Sequence, residues 1–478
     1  MRRYLVVIAV IALATGAASG SEAELDALRI DYAKHFFTPE AHLRLAKYLA
    51  DHGWPLTAFN LSEEARQRHF SEREFARAAR AVYRNDPFDD SSDAERALCE
   101  AIVTQPTPSA SKLRALADIH IARKEWAQAE DLLHQAIALE PESYAPVSTL
   151  AALLRWTERE AEGDALDYAW LDARPDSLET WRVRAARIVE QDIEAATATI
   201  EEARARFPND GEILFHYAGL LHDQKRLAEA AVEYERAAAL APSSAYIQGW
   251  TARFFLRAMK DREKAVHYYL RAYFLDPEFA DTEPVHERVK ALVQERASEV
   301  ARTLGRSSKA IEELLGHPNP FVADLGLDAA SLSWWPSYTT PVVLLLEHDD
   351  PTLRYSAAAL LGRIVHRSAD GWLRSVVARE PADPGRSPFG VLTRKERSPG
   401  RDLYVRSAAA YIAGGRFGIY VLPMLEPWLT DPSDLLRYDA VSVLAEYGGA
   451  RGLERLRKLR DSGTVQDARI RTILENIK

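Results

Sequence analysis

An all-α solenoid of helical hairpins is the fold class that the sequence predicts, and three observations predict it. Prolines fall at Pro106, Pro141, Pro175, Pro208, Pro242 and Pro277, spaced 35, 34, 33, 34 and 35 residues apart. Each can end a helix, because proline has no N–H to extend the hydrogen-bond ladder. Between those prolines apolar and small residues recur at helical spacing: Leu214, Tyr217, Ala218 and Leu221 on one helix, then Ala230, Tyr234 and Ala237 on the next. Beyond residue 315 the pattern changes to Asp-Pro or Asn-Pro followed by an alanine-rich stripe. A fixed period of this length marks an array in which each unit buries its apolar face only against its neighbours.

The first residues read as a targeting segment. Met1-Arg2-Arg3 is basic, Tyr4 to Ala14 is apolar, and Thr15 to Gly20 is small-residue sequence. The expectation is a signal peptide over 1–23, which puts the chain in the periplasm or outside the cell. The alternative is an uncleaved anchor in the inner membrane facing the periplasm. No later apolar run approaches the roughly 20 residues of a membrane-spanning helix. Cys99 is the one cysteine in 478 residues, which excludes an internal disulfide, a cysteine zinc site and Cys-x-x-Cys-His haem attachment. Beside Leu98, in a slot that holds apolar residues elsewhere in the array, it reads as a small buried hydrophobe. The net charge of −10 is uneven: residues 300–478 carry +3 and the preceding part −13. An acidic array lacks the basic face that nonspecific nucleic-acid binding needs.

A helix is expected from Glu22 to Thr38, and Pro39 opens the first hairpin. Leu43, Ala46, Leu49, Ala58 and Ala65 fill its inner slots around a Gly53-Trp54-Pro55 turn. A second hairpin spans Ser71 to Pro106, with Phe75, Ala78 and Ala79 facing Ala94, Leu98 and Ala101. Then come Leu116-Ala117 with Ala129 and Ala136, Arg184-Ala185 with Ala196 and Ala203, and Ala252 with Ala265, Tyr269 and Ala272. The unit from Tyr144 to Pro175 departs, with Gly163 and Trp170 in alanine slots; the expectation is that Trp170 fills space left by Gly163, the alternative being a bend in the superhelix. This small-residue code at a 34-residue period resembles the tetratricopeptide repeat (TPR) family, and assigns 24–281 to one TPR array.

Residues 282–315 read as a helical connector. The segments starting Asn319-Pro320, Asp350-Pro351 and Asp431-Pro432 share one form, in which a capped helix start precedes an alanine stripe and, in two of the three, an arginine. Arg401 to Ala410 is a fourth unit lacking the proline, and Gly463 to Ile477 a fifth. These resemble the HEAT repeat family in its short bacterial variant, and assign 316–478 to a HEAT-like array. The whole is expected to be a TPR superhelix followed by HEAT-like helical hairpins. The segment 380–400, rich in Pro, Gly and Arg, interrupts the second array as a surface loop. Arg386, Arg394, Lys395 and Arg397 make it a candidate contact for an anionic partner surface. Trp334-Trp335-Pro336-Ser337-Tyr338 reads as a plug between repeats.

No catalytic residue, metal site or cofactor is assigned. The sequence has no His-Glu-x-x-His helix, phosphate loop, nucleophile elbow or dinucleotide fingerprint. His216 and His222, six apart, fall on different helix faces. The TPR resemblance implies that the first helix of each unit lines a groove. Its groove slots hold Arg114 and Asp118; Arg155 and Trp156; Arg182; Phe215 and His222; and Arg253 and Arg257. Arginine forks and flat aromatic rings suit an extended peptide with acidic and apolar side chains. The open alternative pairs those arginines with Asp and Glu across the groove. The function class expected is a non-catalytic protein-binding scaffold in the cell envelope. The alternatives are a structural accessory subunit of an envelope enzyme or export complex and, with less support, a lyase-like enzyme, since phycobilin lyases carry similar repeats.

Overall fold

The computed structural model describes residues 22–84, 109–188, 193–277, 284–364, 373–374, 377, 398–465 and 467–477. The expected targeting segment, Cys99 and the loop residues Arg386, Arg394, Lys395 and Arg397 lie outside them. Among the described residues every regular element is helical. They form two compact units that interleave in sequence: one combines residues 1–83 with 282–478, and the other is 84–281.

The chain begins with α1 (Glu22–Lys34), α2 (Pro39–Asp51), α3 (Pro55–Glu64) and α4 (Glu72–Ala79). Pro39 and Pro55 each occupy the first turn of a helix, where a missing N–H costs no ladder bond. At the end of α3 the ladder widens into one π turn, Ala65–His69, closed by Phe70 N–H donating to the Ala65 carbonyl.

Among the described residues the central unit is a stack of five hairpins: α5 (Ala110–Ala122) with α6 (Trp126–Leu139), α7 (Tyr144–Trp156) with α8 (Glu160–Asp172), α9 (Leu178–Ile188) with α10 (Ile193–Arg206), α11 (Gly211–Asp223) with α12 (Leu227–Leu240), and α13 (Ala245–Phe254) with α14 (Arg262–Leu275). The alanines expected to let helices approach are fully buried at Ala117, Ala129, Ala136, Ala218, Ala230, Ala252 and Ala265. Tyr234 fills the seam between hairpins, its ring 5.8 Å from Phe215 and 4.6 Å from Phe254. Four hairpin turns share one strained residue, with Lys124, Glu158, Lys225 and Lys260 at φ near +60°. Ser109, Asp210, Ser244 and Asp261 cap first or second helices by accepting a backbone N–H three residues on. Neighbouring first helices, α5 with α7 and α9 with α11, pack on one another more closely than neighbouring second helices do. At those two joints the first helices lie on the inner side of the stack.

Gly163 corrects one expectation. A Cβ there would lie 2.7 Å from the Ala151 carbonyl oxygen, so the glycine leaves no space to fill and instead lets α8 lie directly on α7. Trp170 has its own place, 5.0 Å from the Tyr144 ring, with its indole N–H donated to the Pro141 carbonyl at 3.1 Å and Arg174 over its face at 4.7 Å.

The longer helices that complete the other unit are α15 (Val285–Leu304), α16 (Ser308–Leu315), α17 (Pro320–Leu332), α18 (Pro351–Ile364), α19 (Pro399–Phe417), α20 (Asp434–Tyr447), α21 (Gly449–Asp461) and α22 (Ala468–Glu475), with short helical turns at Thr339–Leu344 and Leu422–Leu425 between them. The segment expected to be a connector is part of its core: α16 pairs with α17, and Ala297, Leu314 and Val322 pack together. Asn319 and Asp350 cap α17 and α18 with proline at the first helical position, as their sequence indicates. Two helix starts differ. The fourth unit does carry its proline, at Pro399, with Ser398 as cap. The helix after Asp431-Pro432 begins only at Asp434, because Ser433 takes the capping role and accepts from Leu436 N–H. Tyr338 is fully buried as a plug between repeats, whereas Trp335 is 55% exposed.

The assignment of 24–84 to the first array is also corrected, because α1 to α4 pack in the same unit as the second array. Four array helices, α18, α19, α20 and α22, present their amino-terminal ends to that segment. Asp349, just before α18, receives a fork from Arg29, Nε and Nη2 each donating at 2.8 Å. At the start of α19, Gly400 N–H donates to Asp26 at 2.9 Å, and a Cβ on Gly400 would strike the Arg29 side chain at 2.6 Å. At α20 the Ser433 hydroxyl donates to the Ala33 carbonyl at 3.0 Å. At α22 Arg469 donates to the carbonyls of Phe37, at 3.0 Å, and His69. The recurrent array arginine is a loop clamp: Arg354 donates to the carbonyls of His348 and Asp349 at 2.7 and 2.9 Å, and Arg437 to that of Asp431. These long-range polar bonds satisfy buried backbone and charged groups that would otherwise lose solvation without return.

Candidate first-helix binding face

The inner side of the central unit holds the residues that sequence singled out for a groove, and the structure divides them into two groups. Arg155 and Arg182 are structural. The Arg155 guanidinium on α7 reaches over α8, donating to Asp164 at 2.8 Å and to the fully buried Asp167, which also accepts the Tyr144 hydroxyl at 2.9 Å. Burial works against its charge, yet the bonds to Asp167 and Asp164 prevail and raise its pKa. Arg182 on α9 donates to Asp210, the residue that caps α11, and this bond raises its pKa. It braces one repeat against the start of the next. The alternative in which groove arginines pair internally holds for these two. Arg114 and Asp118 are half-buried on α5.

The second group lies on α11 and α13. Phe215 is buried beneath the ring of Tyr246, centroids 5.4 Å apart, and Tyr246 is 51% exposed. Trp250 follows one turn along α13, 6.1 Å from Tyr246, and Arg253 lies over its ring at 4.6 Å. Arg257 is exposed one turn further, in a π turn spanning Phe255–Met259. His222 contacts the Phe254 ring edge at 5.2 Å, so it packs between repeats. His216 is kept neutral by burial, which pushes its pKa down to about 4. Trp156 stands 68% exposed at the end of α7. Tyr246 and Trp250 were missed by counting groove slots, because they occupy the second and sixth positions of their helix. The signal was present in the Tyr246-x-x-x-Trp250 spacing, which places two aromatic rings on one helical face.

Ion pairs tie neighbouring repeats of this unit together. Arg159 donates to Glu130 at 2.9 Å, Arg204 to Glu233 at 3.2 Å and Arg206 to Asp176 at 2.9 Å, each bridging elements about one repeat apart. Among the described residues no helix is long and apolar enough to cross a membrane, and no group of three or more His, Cys, Asp or Glu is placed to hold a metal ion.

No family model and no curated protein matches the chain. Solved structures with similar folds include MamA from Desulfovibrio magneticus RS-1, at 15% identity over 35% of this chain and 94% of that one, with a TM-score of 0.24. YrrB, described as a TPR protein with an unusual peptide-binding site, matches at 15% identity over 40% and 97%, with a TM-score of 0.23. Human IFIT1, a dimer with PPP-AAAA, matches at 15% identity over 72% and 90%, with a TM-score of 0.29. Superpositions this loose carry no argument about function.

Proposed function

We propose that this chain is a non-catalytic protein-binding scaffold, and that the first-helix face around Tyr246, Trp250, Arg253 and Arg257 holds an extended segment of a partner protein. The observation that carries this reading is the half-exposed Tyr246, seated on Phe215 and followed by Trp250 with Arg253 across its ring. Rigid aromatic area is gained there at small entropy cost, and the arginines favour acidic side chains beside apolar ones. The order of basic, apolar and small residues over 1–23 supports work in the cell envelope, in the periplasm or outside the cell. The basic composition of the segment 380–400, with Arg386, Arg394, Lys395 and Arg397, supports a second contact, with an anionic partner surface.

The test compares native chain with a Tyr246→Ser, Arg253→Gln double variant by crosslinking in intact cells and mass spectrometry. A partner lost only in the variant, and released by rising salt, agrees with a charged and aromatic groove. An unchanged, salt-resistant partner set would sink this reading and favour a subunit held through a large apolar interface.

A further inference from the structure

A cavity of about 820 Å³ opens in the unit built from the two ends of the chain, and the binding face above does not use it. Its walls are the inner faces of α18, α19 and α20, which contribute Tyr355, Tyr411 and Tyr438. Its remaining wall is the end of α3, with Glu64 and His69. Small residues keep it open: a Cβ on Gly362 would come no closer than 3.7 Å to the backbone of α19, and Gly415 lies directly opposite. The segment α1 to α3 therefore covers only part of the array's inner surface.

The π turn is what aims Glu64 and His69 at this space. In an α-helix residues five apart lie about 140° apart around the axis. The i→i+5 ladder of Ala65–His69 winds more slowly, so both side chains line one cavity. Turns of this kind are rare and gather at functional sites.

Glu64 carries the chemical point. Its side chain is 6% exposed, and its Oε2 has no hydrogen-bond partner among the described residues. The nearest charged nitrogen is Arg68 Nη1, 3.8 Å from Oε1, on a side chain that is 66% exposed. His69 Nε2 is likewise 3.8 Å from Oε1, also without a hydrogen-bond partner, and its ring stands between Phe36 and Tyr438 at 4.7 and 5.6 Å. A buried carboxylate without donors is costly, and a cation bringing N–H groups removes that cost. The surrounding rings reinforce the preference. Tyr355 and Tyr411 meet edge to face at 5.4 Å, and the Tyr411 hydroxyl is already given to Asp439 at 3.2 Å, so what Tyr411 offers the cavity is its ring. Arg363 is exposed and Arg416 already has an interaction partner, so neither offers an anion a buried counter-charge.

We propose that this cavity binds an organic cation through Glu64, with His69 beside the head group and Tyr355, Tyr411 and Tyr438 around it. A guanidinium matches best, since its fork can satisfy both carboxylate oxygens. The source is either a free small molecule or an arginine side chain of a peptide. Calorimetric titration of the full chain with agmatine, with acetyl-Ala-Arg-Ala-amide and with glutarate separates these.

Expected is binding of agmatine, of the peptide or of both, weakened about tenfold or more by Glu64→Gln. Glu64→Gln removes a buried carboxylate that has no hydrogen bond and whose nearest nitrogens stand 3.8 Å away, so its melting temperature should equal or exceed that of the native chain. Ala359→Trp, at an exposed position on the cavity wall, leaves Glu64 intact and should block entry, with the same tenfold loss or more. Agmatine alone binding assigns a small molecule, and the peptide alone assigns a protein side chain. No heat from either at about 10 mM, binding that survives both variants, or glutarate competing as well as agmatine would each overturn the proposal.

Discussion

Replacing Arg29 by methionine tests the least expected feature of this fold, the seating of the first helix on an array more than 300 residues later in sequence. The Arg29 side chain is 2% exposed and forks onto Asp349, itself 13% exposed, at 2.8 Å from each donor. Burial raises the Asp349 pKa, but the bond and charge of Arg29 prevail and hold it below the ordinary aspartate value. Arg29→Met strands that carboxylate, which costs about 3–5 kcal/mol in the unit that contains it. Asp349→Leu alone strands the guanidinium instead, while the double variant strands nothing. The double-mutant cycle should therefore return a coupling of about 2 kcal/mol or more. Urea unfolding, with hydrogen exchange of α18 to α20 assigning the transition, supplies the measurement. The sign with pH is also fixed. In the native chain the depressed Asp349 pKa contributes stability present above the unfolded value near 3.8 and lost as pH falls through the folded value. In Arg29→Met burial, the largest influence on Asp349, is opposed only by the charges of Arg354 and His348 and raises that pKa, so the deficit should shrink on acidification from pH 7 to 4. A penalty under about 1 kcal/mol, or no coupling, would refute the placement of α1 against the start of α18.

Two further outcomes follow from particular residues. Asp439 is fully buried, and burial, opposed by bonds from Ser407 and Tyr411, pushes its pKa up to about 7. With a folded value above the unfolded one, its contribution is complete below about pH 3.8 and lost as pH rises through 7, a change of about 4 kcal/mol between pH 4 and 8. Asp439→Asn should remove its share of the fall in stability with rising pH, leaving the like share of Asp350, which burial also pushes up to about 7, set against the opposite slope of His42. Burial lowers the His42 pKa to about 3, so its contribution is lost as pH falls below 6.5. An unchanged curve in urea titrations across this range would count against the burial argument. In the central unit, Lys225→Gly relieves a left-handed residue at φ +63° and should stabilise by about 0.5–1 kcal/mol, after the entropic cost of glycine. A loss of stability in urea would show that the turn is not strained.

Much was legible in sequence wherever the determinant was local. A proline period of 34, alanines at helical spacing and N-cap residues act within one hairpin or between adjacent ones, and each repeat meets only its neighbours. The hairpins α5 to α14, the caps at Asn319 and Asp350, and the buried Tyr234 follow from such signals. The placing of Phe215 and Arg253 on first helices rests on the same periodicity.

Tertiary structure alone decided what each charge does and where the first 60 described residues go. Arg155, Arg182 and Arg253 look alike in sequence, but a buried Asp167 and a capping Asp210 take the first two, and only the third lies over an aromatic ring on the inner face. The helices α1 to α3 carry repeat-like alanines and were indistinguishable from a first hairpin. Their partners, Asp349, Gly400, Ser433 and Arg469, lie hundreds of residues away, and no periodicity encodes a contact that is made once. The cavity beside Glu64 has the same origin: its walls come from helices whose inner faces meet only when the two ends of the chain pack together.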